Sequence, residues 1–313
     1  MQMNHTTKGV LLVLATAIIS GVSIFANSYF VTKIDPAGLT FLKNSLTAAA
    51  LIGVILIGAK YSAKKNIGQI KSLTKKQWSR LTLVGLIGGS IPFLLFFEGL
   101  ALIQGTSGAL IHKTMFILVA IPAMIFLKEK IGKLFFGLAI LLLTGNILLL
   151  NANFSQIGIG HIMVLAATIF WAAENTYSKH LLKEISGTTL AFGRMFFGSI
   201  FILAYMAFTS NIAQVLSLNV EQWSQVLIAS LFLIGYVLTW YNGLKYIPVT
   251  LATSILLIGA PITTFLNWIF LDKILTFNQI TGSFIIIGAL AIWIATTIGK
   301  EKSVAKKLSP ANR

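Results

Sequence analysis

Cysteine is absent from the 313-residue chain, which excludes disulfides and thiolate metal sites. Acidic residues are scarce: eight Asp and Glu stand against 24 Lys and Arg. With only four histidines, no phosphate-binding glycine loop and no Gly-x-Ser-x-Gly nucleophile elbow, the common signatures of metal, phosphoryl and acyl chemistry are all missing. The chain therefore reads as a non-enzyme without a cofactor. It also lacks an ATP-binding segment, which argues against primary active transport. Charge of any sign is thin, at 10% of residues, where a soluble domain carries about 25%. A water-facing surface cannot be assembled from so few charges, so lipid must replace the missing polar coat.

What the chain has instead is apolar length: 56% of its residues are hydrophobic. About 20 apolar residues cross a bilayer as a helix, and ten segments qualify: Gly9–Val31, Leu39–Ala59, Leu81–Leu102, Thr106–Leu127, Ile131–Leu150, Ile157–Ser178, Thr188–Thr209, Gln225–Leu244, Thr250–Leu271 and Thr276–Ile298. The first is longer than the apolar core of a signal peptide and is followed by no small-residue cleavage pattern, so it is expected to be retained. Most connections are too short to hold a soluble domain.

The net charge of +16 would suit a nucleic-acid binder, but the basic residues sit in short loops between apolar runs, which is a topology signal. With the N-terminus cytoplasmic, the inner segments hold Lys8, seven residues between Lys60 and Arg80, Lys128, Lys130, Lys133, Lys179, Lys183, Lys245 and five in the tail. The outer loops hold only Lys33 and Lys273. This asymmetry places both termini inside and removes nucleic acid as a partner. Lys43, Lys113 and Arg194 are left within spans.

The two halves align on each other. At an offset of 151 residues, Gly9–Thr47 lies on Gly160–Gly198 without a gap, matching Val13/Val164, Phe41/Phe192 and the basic pair Lys43/Arg194. At an offset of 144, Phe96–Leu100 lies on Trp240–Leu244. Because five spans is an odd number, the second half would enter the membrane from the opposite side, as in the inverted repeats of secondary transporters. The expected architecture is all-α and polytopic: a first five-helix repeat over residues 1–153, a second over 154–300, and a basic cytoplasmic tail over 301–313, expected to be disordered.

The five-plus-five layout resembles the ten-helix EamA-type branch of the drug/metabolite transporter superfamily over about residues 8–300. The likeness rests on a basic residue after Leu-x-Phe in the second and seventh spans (Lys43, Arg194) and on Gly-Leu closing the third and eighth (Gly99-Leu100, Gly243-Leu244). An acidic residue also follows the fourth and ninth spans (Glu129, Asp272), and spaced glycines mark the fifth and tenth. Pro261 in the ninth span fits; its counterpart near Ile117 is missing, and Pro122 sits lower. The resemblance implies a multi-pass cell-membrane transporter that moves a small organic metabolite, with efflux as the common direction. It does not identify the substrate, because the family moves amino acids, metabolites and drugs through similar frames.

A charge in hydrocarbon costs about 2.5–3.5 kcal/mol or more on insertion scales, so each one needs a partner or a wet cavity. Lys113, too deep to snorkel easily, is expected either to dock an anionic group or to pair with Glu98. His112, about 100° away around the helix, is expected to pack against another helix, with a proton relay as the alternative. Thr16, Ser20, Ser23 and Asn27 form one polar stripe, which the repeat maps onto Ala167, Trp171, Glu174 and Ser178. From that face, Ser23, Asn27, Trp171 and Glu174 are expected in a substrate cavity, with Trp240 and Tyr241 as aromatic wall. Glu174 is also the candidate for proton coupling. Lys43 and Arg194 are expected to snorkel or to form gate pairs, Lys43 with Glu98 outside and Arg194 with Glu174 inside. Glu129 is expected only in a solvated ion pair. The leading reading is an alternating-access exporter of amino acids or related metabolites. Efflux of hydrophobic cations, a passive facilitator and a non-transporting scaffold are the alternatives, and the oligomeric state is not fixed.

Overall fold

A computed structural model describes residues 4–30, 34–61, 70–151, 157–209, 212, 215 and 217–308. Among them there is no β-strand. The long apolar runs form helical rods, three of them interrupted: α1 (His5–Phe30), α2 (Pro36–Tyr61), α3 (Lys75–Gly89 and Ile91–Ala101), α4 (Gly105–Lys113, Met115–Leu118 and Ala120–Leu127), α5 (Lys133–Leu150), α6 (Ile159–Leu181), α7 (Gly187–Phe208), α8 (Val220–Leu244), α9 (Val249–Ile255, a 3-10 turn Leu256–Ile258, and Gly259–Leu271) and α10 (Phe277–Leu308). Polar caps set several starts. Thr74 with Gln77 and Asn219 with Gln222 make reciprocal capping boxes at α3 and α8, and Ser186 accepts from the Thr189 N–H at α7.

Among the described residues, nine helices are long and apolar enough to cross a membrane. The one left out is α6, whose second half spends its positions on Glu174, Asn175, Thr176, Ser178 and Lys179. Large apolar side chains such as Ile125, Phe126, Ile140 and Phe284 are exposed, a surface suited to lipid rather than water. The tail departs from the expected disorder, since α10 continues as helix to Leu308. Lys33, Lys64, Lys65 and Arg313 of the charge count lie outside the described residues.

The packing joins the halves. α1 lies along α8 and the second part of α9, and α6 lies along the second part of α3 and the pieces of α4. α2 packs on α7, and α5 packs on α10. The closest approaches are made by glycine. A Cβ on Gly9 would fall 3.1 Å from the Gly243 carbonyl oxygen, and one on Gly99 would fall 2.8 Å from the Gly160 carbonyl oxygen. Backbones come this near only where no side chain intervenes. α4 and α9 end alike, with Lys128 (φ 57°) and Asp272 (φ 50°) in the left-handed conformation. Those two residues are 144 apart, so the end of α9 is matched to Lys128, and the expected pairing of Glu129 with Asp272 is out by one residue.

Glu129 has a different role from a solvated ion pair. Its carboxylate accepts from the N–H groups of Val249 (2.6 Å) and Thr250 (3.4 Å) and from the Thr250 hydroxyl (2.8 Å), so it caps the start of α9. Four N–H groups are orphaned at any helix start, and a carboxylate there also meets the positive end of the helix dipole.

If the glycine contacts set the packing, Gly99→Val should destabilise the purified protein by about 1–3 kcal/mol, the usual cost of overpacking. Gly137→Ala should be neutral or slightly stabilising, because nothing lies within 4 Å of a Cβ there. Thermal unfolding in detergent distinguishes the two; equal midpoints would contradict this account of the interface.

Candidate functional site

The site begins with a proline. In an unbroken helix the carbonyl of Gly88 would accept from the N–H of residue 92, but that residue is Pro92 and has none. α3 breaks at Ser90, and the next N–H groups, of Phe93 and Leu94, turn to the Ser90 carbonyl. The carbonyls of Gly88 and Gly89 are thereby released. Gly88 accepts from the Trp171 indole N–H of α6 (3.1 Å) and from the Arg194 guanidinium Nη2 of α7 (2.9 Å). Gly89 accepts from the Asn44 side-chain amide of α2 (3.1 Å). Glycine is needed here as well, because a Cβ on Gly88 would run into the Glu174 side chain.

Glu174 is 1% exposed. Its Oε1 accepts from the hydroxyls of Ser178 (2.5 Å) and Tyr241 (2.8 Å), while Oε2 stands 4.0 Å from Arg194 Nε. The expected Arg194–Glu174 pair is therefore present. Arg194 does not snorkel: it is 7% exposed and held by the Gly88 carbonyl. Tyr241 is fully buried.

Above this cluster lies a cavity of ≈ 450 Å³. Ser20, Ser23 and Asn27 of α1 contribute to it, with Lys43 of α2, Phe93, Phe96 and Phe97 of α3, and Ala109, His112 and Lys113 of α4. The second half supplies Trp171 and Asn175 of α6, Arg194 of α7, Phe232, Tyr236 and Trp240 of α8, and Thr253 of α9. Gly105 at the start of α4 and Ile24 of α1, both exposed, also line it, so the cavity reaches the surface beside α1 and the α3–α4 turn. A tight aromatic group forms one wall. The His112 and Trp171 rings lie edge to face with centroids 4.8 Å apart, and Phe96 and Phe93 meet Trp171 at 5.4 and 5.2 Å. Opposite, Tyr236 stacks on Trp240 at 6.4 Å.

Of the residues expected to bind substrate, Ser23, Asn27, Lys113, Trp171 and Trp240 line the cavity. Glu174 and Tyr241 do not: they sit behind the wall, engaged with each other. The helical stripe placed Glu174 on the correct face of α6, but the carboxylate has turned toward Ser178 one turn along. His112 packs on Trp171 of α6, the helix contact expected of it, but it also lines the same hollow as Lys113, which was not expected.

The expected Lys43–Glu98 gate contact is not formed. Glu98 accepts instead from the Tyr205 hydroxyl (2.6 Å) and lines an adjoining pocket of ≈ 240 Å³ with Asp35 and Thr40, which shares Phe93 and Phe97 with the cavity. Glu98 is not paired with Lys113 either. Among the described residues, neither Lys43 nor Lys113 has a hydrogen-bond or ion-pair partner.

Sequence reasoning missed Asn175, which accepts from the Trp240 indole N–H (3.1 Å) and so fixes part of the wall. It also missed Asn44 and the Gly88 carbonyl. Pro92 inside an apolar run was the available signal for the last. Among the described residues, no cluster of His, Cys, Asp and Glu could hold a metal ion.

Breaking the buried pair tests the floor. Glu174→Leu should cost about 3–5 kcal/mol, because Arg194 would be left without its counter-charge. Arg194→Met added to that background should cost less than it does alone. A double-mutant cycle in thermal unfolding reads the coupling, and strictly additive losses would mean that the two groups do not interact.

Comparison with known proteins agrees with this architecture. The EamA-like transporter family matches twice, over residues 7–151 and 158–295. An uncharacterised transporter of Bacillus subtilis, YyaM, is 23% identical over 290 residues, covering 90% of this chain and 92% of its own. The uncharacterised inner membrane transporter YhbE of Escherichia coli K12 is 24% identical over 191 residues, covering 59% and 58%. A solved crystal structure superposes with a TM-score of 0.75 at 17% identity, over 94% of this chain and 98% of that one; at that identity the likeness concerns the fold alone.

Proposed function

The chain belongs to the EamA-like transporter family, a multi-pass membrane protein, and from that premise we propose that it is a secondary transporter moving a small organic metabolite by alternating access. One observation carries this reading: eight helices, four from each matched segment, surround a single cavity that reaches one face and ends on a hydrogen-bonded floor. A scaffold would pair its buried charges off and leave no such hollow.

Ten crossings as two inverted repeats fit the packing. Exchanging the halves turns the α1–α8 contact into α6–α3 and the α1–α9 contact into α6–α4, while α2–α7 and α5–α10 map onto themselves. The glycine contacts obey the same exchange, since Gly9/Gly243 becomes Gly160/Gly99. α6 then crosses the membrane despite its polar half, because that half faces protein.

With the termini cytoplasmic, as the lysine and arginine count favours, the α3–α4 turn is extracellular and this conformation faces outward. The opposite face is latched. The Lys179 ammonium donates to the carbonyls of Leu244, Lys245 and Ile247, Glu129 caps α9, His5 stacks on Tyr246, and Arg80 pairs with Glu184. Export is the favoured direction by family resemblance. An amino acid substrate was expected because Glu174 would meet its ammonium group; with Glu174 behind the wall, that part of the argument lapses. Glu174 remains the candidate for proton coupling, since a proton there would release Arg194 toward the cavity.

The function is tested in proteoliposomes, as exchange and gradient-driven uptake against a metabolite panel. Flux of at least one compound is expected, and Glu174→Gln should abolish its drive by a pH gradient while sparing exchange. Unchanged gradient-driven flux in that variant would remove Glu174 from coupling. The cysteine-free sequence is a ready background for accessibility. Ser23→Cys and Ala109→Cys should react with an impermeant thiol reagent applied outside, and an excess of substrate should slow them. Labelling of both only from the cytoplasmic side would reverse the assigned orientation.

A further inference from the structure

Among the described residues, the charge that lines the cavity is of one sign. The chain has eight acidic residues, every one among the described residues, and none lines the cavity. Asp35 and Glu98 belong to the smaller pocket on the other side of Phe93 and Phe97, which line both. Glu129 caps α9, and Glu184 pairs with Arg80. Glu221 and Asp272 stand at the start of α8 and the end of α9, and Glu301 lies in the cytoplasmic extension of α10. Glu174 lies behind the floor, where it compensates Arg194. Among the described residues three cationic side chains reach the cavity, Lys43, Lys113 and Arg194, and of these only Arg194 has a counter-charge.

Two ammonium groups facing one hollow inside a low-dielectric wall repel each other and lack the solvation of bulk water. A structural role would have given each a carboxylate, and the chain places carboxylates elsewhere. What neutralises them must come from outside. The rest of the lining tells what it carries. The faces and edges of Phe96, Trp171, Tyr236 and Trp240 suit a flat apolar body, and the Asn27 side-chain carbonyl oxygen, buried without a partner, accepts a hydrogen bond but repels an anion. One end of the ligand is therefore charged and negative, the middle is planar, and one polar donor is accommodated.

We infer that the transported substrate is a small organic anion with a planar apolar body, bearing carboxylate or phosphate groups that take Lys43 and Lys113 as counter-ions. This rests on the transporter reading above and excludes zwitterionic amino acids and hydrophobic cations as the preferred class. Lys43 comes from the first half's α2 and Lys113 from its α4, so an anion held by both would tie together two helices that the packing leaves apart.

The experiment uses four probes that share a phenyl body and differ in charge: phenylsuccinate (dianion), phenylpyruvate (monoanion), phenylalanine (zwitterion) and phenethylammonium (cation). Binding to the purified, detergent-solubilised full chain is read by thermal shift and by quenching of tryptophan fluorescence. The anions should bind more tightly than the zwitterion and the cation. Lys43→Met and Lys113→Met should each weaken the anions by roughly ten- to a hundredfold, the loss expected when one charge-assisted hydrogen bond is removed. Lys113→Arg should keep most of the affinity, which separates lost charge from a misfolded variant. Preference for phenethylammonium or phenylalanine, equal anion affinity in the methionine variants, or no anion binding at all would each overturn the inference. Flux is measured separately. Anion binding without flux of any compound would defeat the transporter reading and leave the anion site standing, whereas flux of the cation alone would do the reverse.

Discussion

The carbonyl of Gly88 is the point on which the rest of the site depends. Inside a bilayer a backbone group without a partner costs several kcal/mol, since no water reaches it. Pro92 removes the helix's own donor, so the neighbours must supply one. Trp171 from α6 and Arg194 from α7 do so, and Asn44 from α2 serves the adjacent Gly89 carbonyl. A break in one helix thus dictates where three others can stand. It also dictates composition: residue 88 must lack a side chain, because Glu174 fills the space a Cβ would take. The floor of the cavity is the product of these demands.

That floor explains why charges so expensive in hydrocarbon can coexist here. Arg194 and Glu174 compensate each other in charge, and hydroxyls from Ser178 and Tyr241 meet the carboxylate, while Arg194 Nε itself has no hydrogen-bond partner. Lys43 and Lys113 are handled differently: they line a cavity that reaches the surface of the protein. One set of charges is compensated within the protein, and the other lines the cavity with no counter-charge among the described residues.

The spans, the duplication and the face of α6 that carries polarity were legible because periodicity and hydropathy report them directly. Depth and partners were not. The stripe through Trp171, Glu174 and Ser178 identifies one side of a helix, but these residues divide between wall and interior, and only the positions of Tyr241 and Arg194 decide which way Glu174 turns. Lys43 looked like a residue near a helix end, free to snorkel or to pair with Glu98; with Phe93 and Phe97 of the kinked α3 it lines the cavity instead. Glu129 sat among lysines in a turn and read as solvated, because its true partners, the N–H groups of Val249 and Thr250, lie 120 residues away along the chain. Asn175 gave no signal of its own: what it does is receive the Trp240 indole.

The proposed inverted repeat also implies that the two conformations of the proposed alternating-access cycle differ in energy. The duplication has kept the backbone features: the glycine contacts Gly9/Gly243 and Gly160/Gly99, and the left-handed ends at Lys128 and Asp272, beyond which the N–H of Glu129 returns to the Ala123 carbonyl and that of Lys273 to the Asn267 carbonyl. It has not kept the polar latches. The residue that corresponds to Glu129 is Lys273, which carries only donors and cannot cap a helix start. Tyr236 corresponds to Pro92, and α8 runs unbroken where α3 is kinked. In the proposed cycle, closure of the opposite face would therefore lack the carboxylate cap that Glu129 supplies at α9. Two states joined by symmetry but unequal in hydrogen bonds are unequal in population, and a ligand can reverse the order only by its differential affinity for them. Charge neutralisation of Lys43 and Lys113 supplies such a difference wherever a state brings the two ammonium groups closer together and further from water.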